Sequence, residues 1–254
     1  MDAKRLTALL LAAAMLLCAL FGAAGCGAKT PLSPGDKETE PLPEETEAAG
    51  ITDLSAAETL VFGTYEQDND ETNAKEPIEW IVLAREAGKA LLISKYALDC
   101  AAYNEERVDI TWETCTLRAW LNGTFLNEAF SAEEQAKIVP AEVKAELNPC
   151  YKTDPGADVT DRVFLLSINE AYAYFATNEA RACRATPYEA AKDTWYDPAT
   201  VVDGYVECDW WLRSPGSVPD KAPSVVCDGW VELGGGSVNS IDAVRPALWI
   251  TDAE

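Results

Sequence analysis

The sequence predicts an α+β fold: a single domain with short, twisted antiparallel sheets and a few short helices. Residues 60–65, 78–83 and 90–94 are rich in β-branched and aromatic side chains, which favour strands. Helix-start signals follow in the middle of the chain, and two short apolar runs close it. Because strands precede and follow a helical middle, we expect the terminal segments to pair in one sheet.

The middle of the chain contains the helix signals. Residues 114–122 place Leu117, Trp120 and Leu121 on one helical face, with Gly123 at the position of a stop. Three further helix starts are predicted by capping boxes, namely Ser131 with Glu134, Ser167 with Glu170, and Thr186 with Glu189. A short buried strand is expected at residues 162–166.

Two apolar runs near the C-terminus bracket a segment that is rich in Gly, Ser and Asp. Residues 210–216 read Trp-Trp-Leu-Arg-Ser-Pro-Gly, and residues 244–250 read Val-Arg-Pro-Ala-Leu-Trp-Ile. This layout is typical of two buried strands that carry a variable hairpin region between them.

This C-terminal layout resembles the signature of an uncharacterised bacterial domain family, the domain of unknown function 6273. The resemblance covers roughly residues 60–250 and implies a C-type-lectin-like fold, similar to that of formylglycine-generating enzymes. It implies no particular activity.

The N-terminus has the pattern of a lipoprotein signal peptide. Lys4 and Arg5 precede an apolar stretch at 6–20, and a small-residue box ends at Cys26. We therefore predict a signal peptide at 1–25, a lipidated Cys26, and a protein anchored at the extracytoplasmic face of a bacterial membrane.

Composition changes sharply after this box. Up to residue 56 the chain is rich in Pro and Glu and nearly lacks large apolar side chains, so residues 26–56 are predicted to be the lipidated cysteine and a disordered acidic linker. The domain is placed at 57–254.

The formal net charge of −23 would repel phosphate backbones, so we expect no nucleic-acid partner.

The chain contains no histidine, which excludes Ser-His-Asp and Cys-His catalysis and most imidazole metal sites. Asp154, Asp158 and Asp161 surround a Pro-Gly pair and offer hard oxygen ligands for calcium. They match no known calcium-loop spacing, and a solvated charged loop is the alternative. We predict no metal site.

Six cysteines follow Cys26, an even number that favours disulfides in an exported protein. The candidates are Cys100, Cys115, Cys150, Cys183, Cys208 and Cys227. At least one disulfide is expected, with Cys208 or Cys227 the favoured participants, and buried free thiols are the alternative. The resemblance also implies a copper-binding pair at Cys208 and Cys227, although their spacing departs from that of the enzymes.

The segment between the two apolar runs is predicted to bind a ligand, because it combines polar groups with flat aromatic faces. Trp210 and Trp211 must point to opposite faces of a strand. The alternative is that the tryptophans are core and that Arg213 and Arg245 form structural ion pairs. The ligand-binding candidates are Trp211, Arg213, Ser217, Asp220, Asp228, Trp230, Glu232, Asn239 and Asp242.

These patterns favour a lipid-anchored binding or interaction module at the cell surface rather than an enzyme, with a carbohydrate, peptide or protein as ligand. Two alternatives stay open: a formylglycine-generating-type oxidase or a degenerate relative of one, and a structural surface scaffold. No cofactor is required by the binding hypothesis.

Replacing the predicted lipidation site by Cys26→Ser should abolish lipid modification, because serine lacks the thiol that is acylated. The variant should leave the detergent phase on phase partitioning and should not incorporate a fatty-acid probe. Labelling that persists in the variant would contradict the assignment of Cys26.

Overall fold

The structure is a computed structural model that describes residues 50–192, 201–202 and 204–252. The predicted signal peptide, Cys26 and residues 27–49 of the predicted linker lie outside the described residues. Among the described residues, no helix combines the length and apolar character needed to cross a membrane.

The folded unit begins earlier than residue 57, so the predicted linker boundary is wrong by several residues. The backbone N–H of Ile51 donates to Tyr174 O at 2.8 Å, and Ile51 forms an isolated parallel β-bridge with Phe175. A 3₁₀ turn follows at Leu54–Ala56, and Asp53 caps it. Residues 50–56 are therefore packed on the domain although their composition resembles that of a linker.

The larger sheet brings both ends of the described unit together, as predicted. Its strands are β1 (Thr59–Tyr65), β2 (Glu76–Glu86), β3 (Lys89–Ser94), β5 (Ile138–Val139), β8 (Val163–Phe164) and β15 (Ala247–Thr251). The order is β1-β2-β3-β15-β5, β8 also pairs with β15, and every pairing is antiparallel. Bulges in the β1–β2 and β2–β3 pairings increase the local twist of the sheet.

A second sheet contains the predicted hairpin region. Its order is β13-β12-β11-β14-β4, and only the β11–β14 pairing within it is parallel. The strands are β4 (Asp99–Ala102), β11 (Trp210–Trp211), β12 (Lys221–Val225), β13 (Val231–Ser237) and β14 (Ile241–Val244). Two ribbons complete the strands: β6 (Ala141–Val143) with β7 (Val159–Asp161), and β9 (Cys183–Ala185) with β10 (Val206–Cys208).

The described helices are short, and the predicted helix starts are confirmed. They are α1 (Thr116–Trp120), α2 (Leu126–Ala129), α3 (Ala132–Gln135), α4 (Ile168–Tyr174), α5 (Asn178–Arg181) and α6 (Pro187–Lys192). Both halves of the capping box form at Ser131 and at Ser167.

The predicted stop at Gly123 is wrong. A π-helical segment, Leu121–Phe125, joins α1 to α2, because continuing the helix buries Phe125 and Leu126.

Strand β11 is covered on both faces, which explains why its two tryptophans are both buried. The Trp210 side chain donates its indole N–H to Arg181 O at 3.2 Å, and that of Trp211 donates to Ala101 O at 2.9 Å. The prediction of Trp211 as an exposed flat face is therefore wrong. Strand alternation sends the two rings to opposite sides, but each side has its own protein layer.

The predicted structural ion pair of Arg213 is confirmed. Its guanidinium contacts both carboxylate oxygens of Glu170, and Nη1 also donates to Leu165 O at 2.8 Å. Glu170 is the same residue that accepts from the Ser167 backbone in the capping box of α4. One carboxylate thus fixes both the start of α4 and the chain segment that directly follows β11. Arg213 is buried and inaccessible to a ligand.

The tip of the β12–β13 hairpin docks on α5 through Gly229. Gly229 has φ +83°, and a Cβ built there would lie 1.8 Å from Asn178 O. Its carbonyl accepts from Arg181 Nε at 3.1 Å. Only glycine allows the hairpin backbone to approach the helix so closely. This contact holds residues 226–230 beside the start of β9.

Gly229→Ala should release the hairpin tip from α5, because the added methyl group would occupy the position of the Asn178 carbonyl. Backbone amides of residues 225–231 should exchange hydrogen faster than in the unaltered protein, and the free energy of unfolding should fall by about 1–3 kcal/mol.

Gly88→Ala is the matched control. Gly88 also has a positive φ of +71°, but its added Cβ would meet only Asp252 O, at 4.0 Å. This variant should be destabilised by about 1 kcal/mol from backbone strain alone and should leave exchange at the hairpin tip unchanged. Equal exchange rates at 225–231 in both variants would contradict the docking role of Gly229.

Candidate functional site

A groove of about 570 Å³ opens beside the docked hairpin tip. This volume lies in the range of small-ligand pockets, about 300–1,000 Å³. The groove is lined by the hairpin tip, α5 and β9, the turn after β3, and the edge of the larger sheet. We call it the hairpin groove, and its lining residues are Leu54, Thr59, Ile81, Lys95, Tyr96, Glu179, Ala182, Cys183, Arg184, Glu207, Cys227 and Asp228.

The floor and one wall of the hairpin groove are apolar. Ile81 and Leu54 contribute aliphatic surface, and Tyr96 stacks on Tyr205 with ring centroids 4.2 Å apart. Lys95 lies over the Tyr96 ring. An aromatic face beside aliphatic groups offers a ligand apolar area and a flat stacking surface.

The charges of the groove rim are partly neutralised within the protein. Lys95 Nζ pairs with Glu79 at 2.8 Å, and that hydrogen bond raises the pKa of Lys95. Arg184 lies directly across the β9–β10 ladder from Glu207, so their opposite charges favour one another. Glu179 and Asp228 form no ion pair with any residue the structure describes. The rim therefore has two uncompensated carboxylates.

The predicted ligand-binding residues divide between the two ends of the β12–β13 hairpin. Asp228 lines the hairpin groove. Its carboxylate accepts from the backbone N–H of Trp230 at 3.0 Å, which orders the turn. Trp230 is two residues further along the hairpin tip and has 51% of its surface exposed, but it is not among the lining residues.

The other polar candidates lie away from the groove and have local partners. Asp220 pairs with Arg107 at 2.9 Å, and Ser217 donates to Gly234 O at 3.0 Å. Glu232 accepts from the Gly234 N–H at 3.0 Å, and Asn239 accepts from Ser237 Oγ at 2.7 Å. Asp242 belongs to β14 and is half-buried. These residues shape turns and strand ends, and none of them lines the hairpin groove.

The three aspartates considered as calcium ligands do not converge. Asp161 is buried and accepts from Arg118 Nε at 2.7 Å and from Trp112 Nε1 at 2.9 Å. Asp158 pairs with Lys144, and Asp154 accepts from the Gly156 N–H. Each carboxylate thus has its own structural role. A different acidic cluster, Glu66, Asp68 and Glu76, brings three carboxylates within 4.8 Å of one another.

None of the six cysteines of the domain belongs to a disulfide in this structure, so the predicted disulfides are not formed in it. Cys208 faces Cys183 across the β9–β10 ladder, whereas Cys227 is exposed at the hairpin tip. The pair implied by the resemblance, Cys208 with Cys227, is therefore not the pair that the ladder aligns.

Cys115 is buried, and burial raises the pKa of its thiol to about 12. It caps α1 by accepting from the Arg118 N–H.

Arg245 has an environment that the sequence did not indicate. Its side chain is fully buried, lies between the rings of Phe175 and Trp210, and donates to Ser94 O at 3.0 Å and to Arg181 O at 3.4 Å. Its Nη2 has no hydrogen-bond partner, and no described carboxylate forms an ion pair with it. The prediction of an ion pair at Arg245 is therefore wrong.

Sequence reasoning did not single out Cys183 and Cys208 as partners. Both sit at buried positions of three-residue segments that alternate buried, exposed, buried: Cys-Arg-Ala in β9 and Val-Glu-Cys in β10. This alternation could have indicated that each segment is a strand at the edge of a sheet. Each segment is too short, however, for its sequence alone to identify the strand with which it pairs.

Comparison with known proteins identifies a family for this chain but does not identify an activity. No curated protein matches the chain, and no solved structure matches it. A protein-family model does match residues 87–252, which include both apolar C-terminal runs, the hairpin between them, and most of the groove lining. The match covers more than half of the sequence, and the chain belongs to the family described as a domain of unknown function, DUF6273.

Proposed function

We propose that this protein is a lipid-anchored binding module at the extracytoplasmic face of a bacterial membrane, and that it holds its ligand in the hairpin groove. The observation that carries the proposal is a groove of about 570 Å³ that is lined by Asp228 of the hairpin tip, two residues from the exposed Trp230. Cys26 supplies the lipid anchor, and the acidic segment after it separates the domain from the membrane.

A C-type-lectin-like architecture is part of this proposal. It is supported by the mixture of short helices with curled antiparallel sheets, and by the presence of β1 and β15 in one sheet. In such an arrangement the sheet that contains both terminal strands forms a rigid frame, and the hairpin between the last strands presents the binding groups.

The ligand that fits the hairpin groove best is a basic, amphipathic peptide segment. Glu179 and Asp228 offer two carboxylates that form no ion pair with a described residue. Their negative charge favours a lysine or arginine side chain, and Trp230 adds a face for a cation–π contact. The apolar floor at Ile81 and Tyr96 accepts neighbouring aliphatic groups of the same ligand. The net charge of −23 attracts such a peptide from a distance.

A fluorescent peptide of alternating lysine and leucine is a suitable probe, with fluorescence anisotropy as the measurement. The double variant Glu179→Gln/Asp228→Asn should weaken binding about tenfold, because two charge-assisted contacts become neutral ones. Its melting temperature should stay within about 3 °C of the unaltered protein, since both side chains are exposed.

The matched control is Glu105→Gln/Asp109→Asn, which removes the same two charges at exposed positions that do not line the groove. Its affinity for the peptide should change less than about twofold. Equal weakening in both double variants would mean that the peptide follows the overall charge, and this would contradict a site in the groove. Binding of a neutral oligosaccharide with no binding of the peptide would contradict the proposed ligand class.

A further inference from the structure

We propose that Cys183 and Cys208 form a reversible disulfide by thiol–disulfide exchange, with Cys183 as the attacking thiolate and Arg245 as its counter-ion. This site lies at the wall of the hairpin groove. The inference does not rest on the proposed binding function, because it follows from the facing cysteines and the buried guanidinium.

The backbone places the two cysteines where a disulfide can form. Cys208 and Cys183 are direct partners in the antiparallel β9–β10 ladder. Directly opposed residues in such a ladder have Cα atoms about 4.5–5.5 Å apart, within the range of about 4.4–6.8 Å found for disulfides. The Cys208 thiol donates to Cys183 O at 3.7 Å, and the Cys183 thiol donates to Arg184 O at 3.4 Å. Closing the bond therefore needs no change in strand register.

Arg245 supplies the reason why one of these thiols should ionise. An arginine stays protonated in proteins, and burying its charge without an anion is costly. Aromatic faces and two carbonyls compensate part of this charge, but Nη2 has no partner and no described carboxylate pairs with the guanidinium. Arg245 donates to Ser94 O, and the Cys183 thiol contacts the next carbonyl along the chain, Lys95 O, at 3.9 Å. The charge of Arg245 lowers the pKa of Cys183. A thiolate at Cys183 would be the missing anion.

The two thiols differ in pKa, as thiol–disulfide exchange requires of an attacking cysteine and its partner. Burial raises the pKa of Cys183, but the hydrogen bond from Cys208 and the charge of Arg245 outweigh it and lower that pKa to about 7. The hydrogen bond to Cys183 raises the pKa of Cys208 well above its usual value, and burial and the nearby Glu189 raise it further. Cys183 is therefore the nucleophile and Cys208 the proton-bearing partner.

Both cysteines are buried, with 3% of the Cys183 surface and 6% of the Cys208 surface exposed, and Cys183 is the one that lines the hairpin groove. Lys95 and Arg184 are the cations beside this opening, and Glu207 is the nearest carboxylate of β10. A small disulfide that enters the groove meets Cys183 first.

The exchange has two balanced steps. The Cys183 thiolate attacks one sulfur of a small oxidised disulfide, such as oxidised glutathione, whose S–S bond breaks and whose second sulfur leaves as a thiolate. Cys208 then loses its proton and attacks Cys183 Sγ, which displaces the other half of the oxidant. Two protein thiols are thereby oxidised to one disulfide, and one disulfide is reduced to two thiols.

The test uses the full chain, equilibrated in mixtures of reduced and oxidised glutathione at neutral pH, quenched with acid, alkylated and mapped by peptide mass spectrometry. We expect a single intrachain crosslink between Cys183 and Cys208 that forms and disappears with the glutathione ratio. Cys115, equally buried but without a facing thiol, is the internal control and should stay reduced. Recovery of Cys183 and Cys208 as thiols at the most oxidising ratio would overturn the proposal.

Two conservative variants test which cysteine attacks. Cys208→Ser should accumulate a mixed disulfide between Cys183 and glutathione, because no second thiol can resolve it. Cys183→Ser should form the corresponding adduct at Cys208 at least about tenfold more slowly, since that thiol is protonated and does not line the groove. Adduct formation at equal rates in the two variants would contradict the assignment of Cys183 as the nucleophile.

Discussion

The buried guanidinium of Arg245 is the interaction on which the C-terminal half of the domain depends. It lies between Phe175, at the end of α4, and Trp210 of β11, and it donates to the carbonyls of the last residues of β3 and α5. One side chain thus joins both sheets to the helical middle. The cost of burying a cation is large, so its surroundings must supply compensating groups.

The hairpin groove is a consequence of this arrangement. The carbonyl of Arg181 accepts hydrogen bonds from the side chains of both Arg245 and Trp210. The side chain of Arg181 donates a hydrogen bond to Gly229 O at the hairpin tip. The chain then enters β9 at Cys183. The residues that form the groove wall are therefore positioned by the same contacts that surround Arg245, and the thiol that would balance its charge is part of that wall.

Local signals in the sequence predicted local structure well. The capping boxes at Ser131 and Ser167 are formed, and the three early strands lie within one residue to a few residues of their predicted limits, because both signals depend on neighbouring side chains. The family assignment rested on the two apolar C-terminal runs and is confirmed. The Gly123 stop is wrong, because burial of Phe125 and Leu126 overrides a local preference.

The site was less predictable because it depends on long-range pairing. Composition selected Asp228, which lines a cavity, and Trp230, which is exposed two residues away, but it also selected Trp211 and Arg213, which are buried. Nothing local in the sequence indicates that β9 pairs with β10, or that Arg245 lacks a carboxylate partner. Those facts follow from tertiary packing.

The central claim, that a Cys183 thiolate balances the charge of Arg245, is tested most directly by unfolding the reduced protein and its Cys183→Ser variant across a series of pH values. The folded pKa of Cys183, about 7, lies below that of an unfolded cysteine, about 8.5, so the unfolded chain binds the proton more tightly. The stability contributed by Cys183 is then fully present above the unfolded pKa and is lost as the pH falls through the folded pKa. The difference in unfolding free energy between protein and variant should increase by about 2 kcal/mol from about pH 6 to about pH 9. A difference that is independent of pH, or that decreases over this range, would contradict the account.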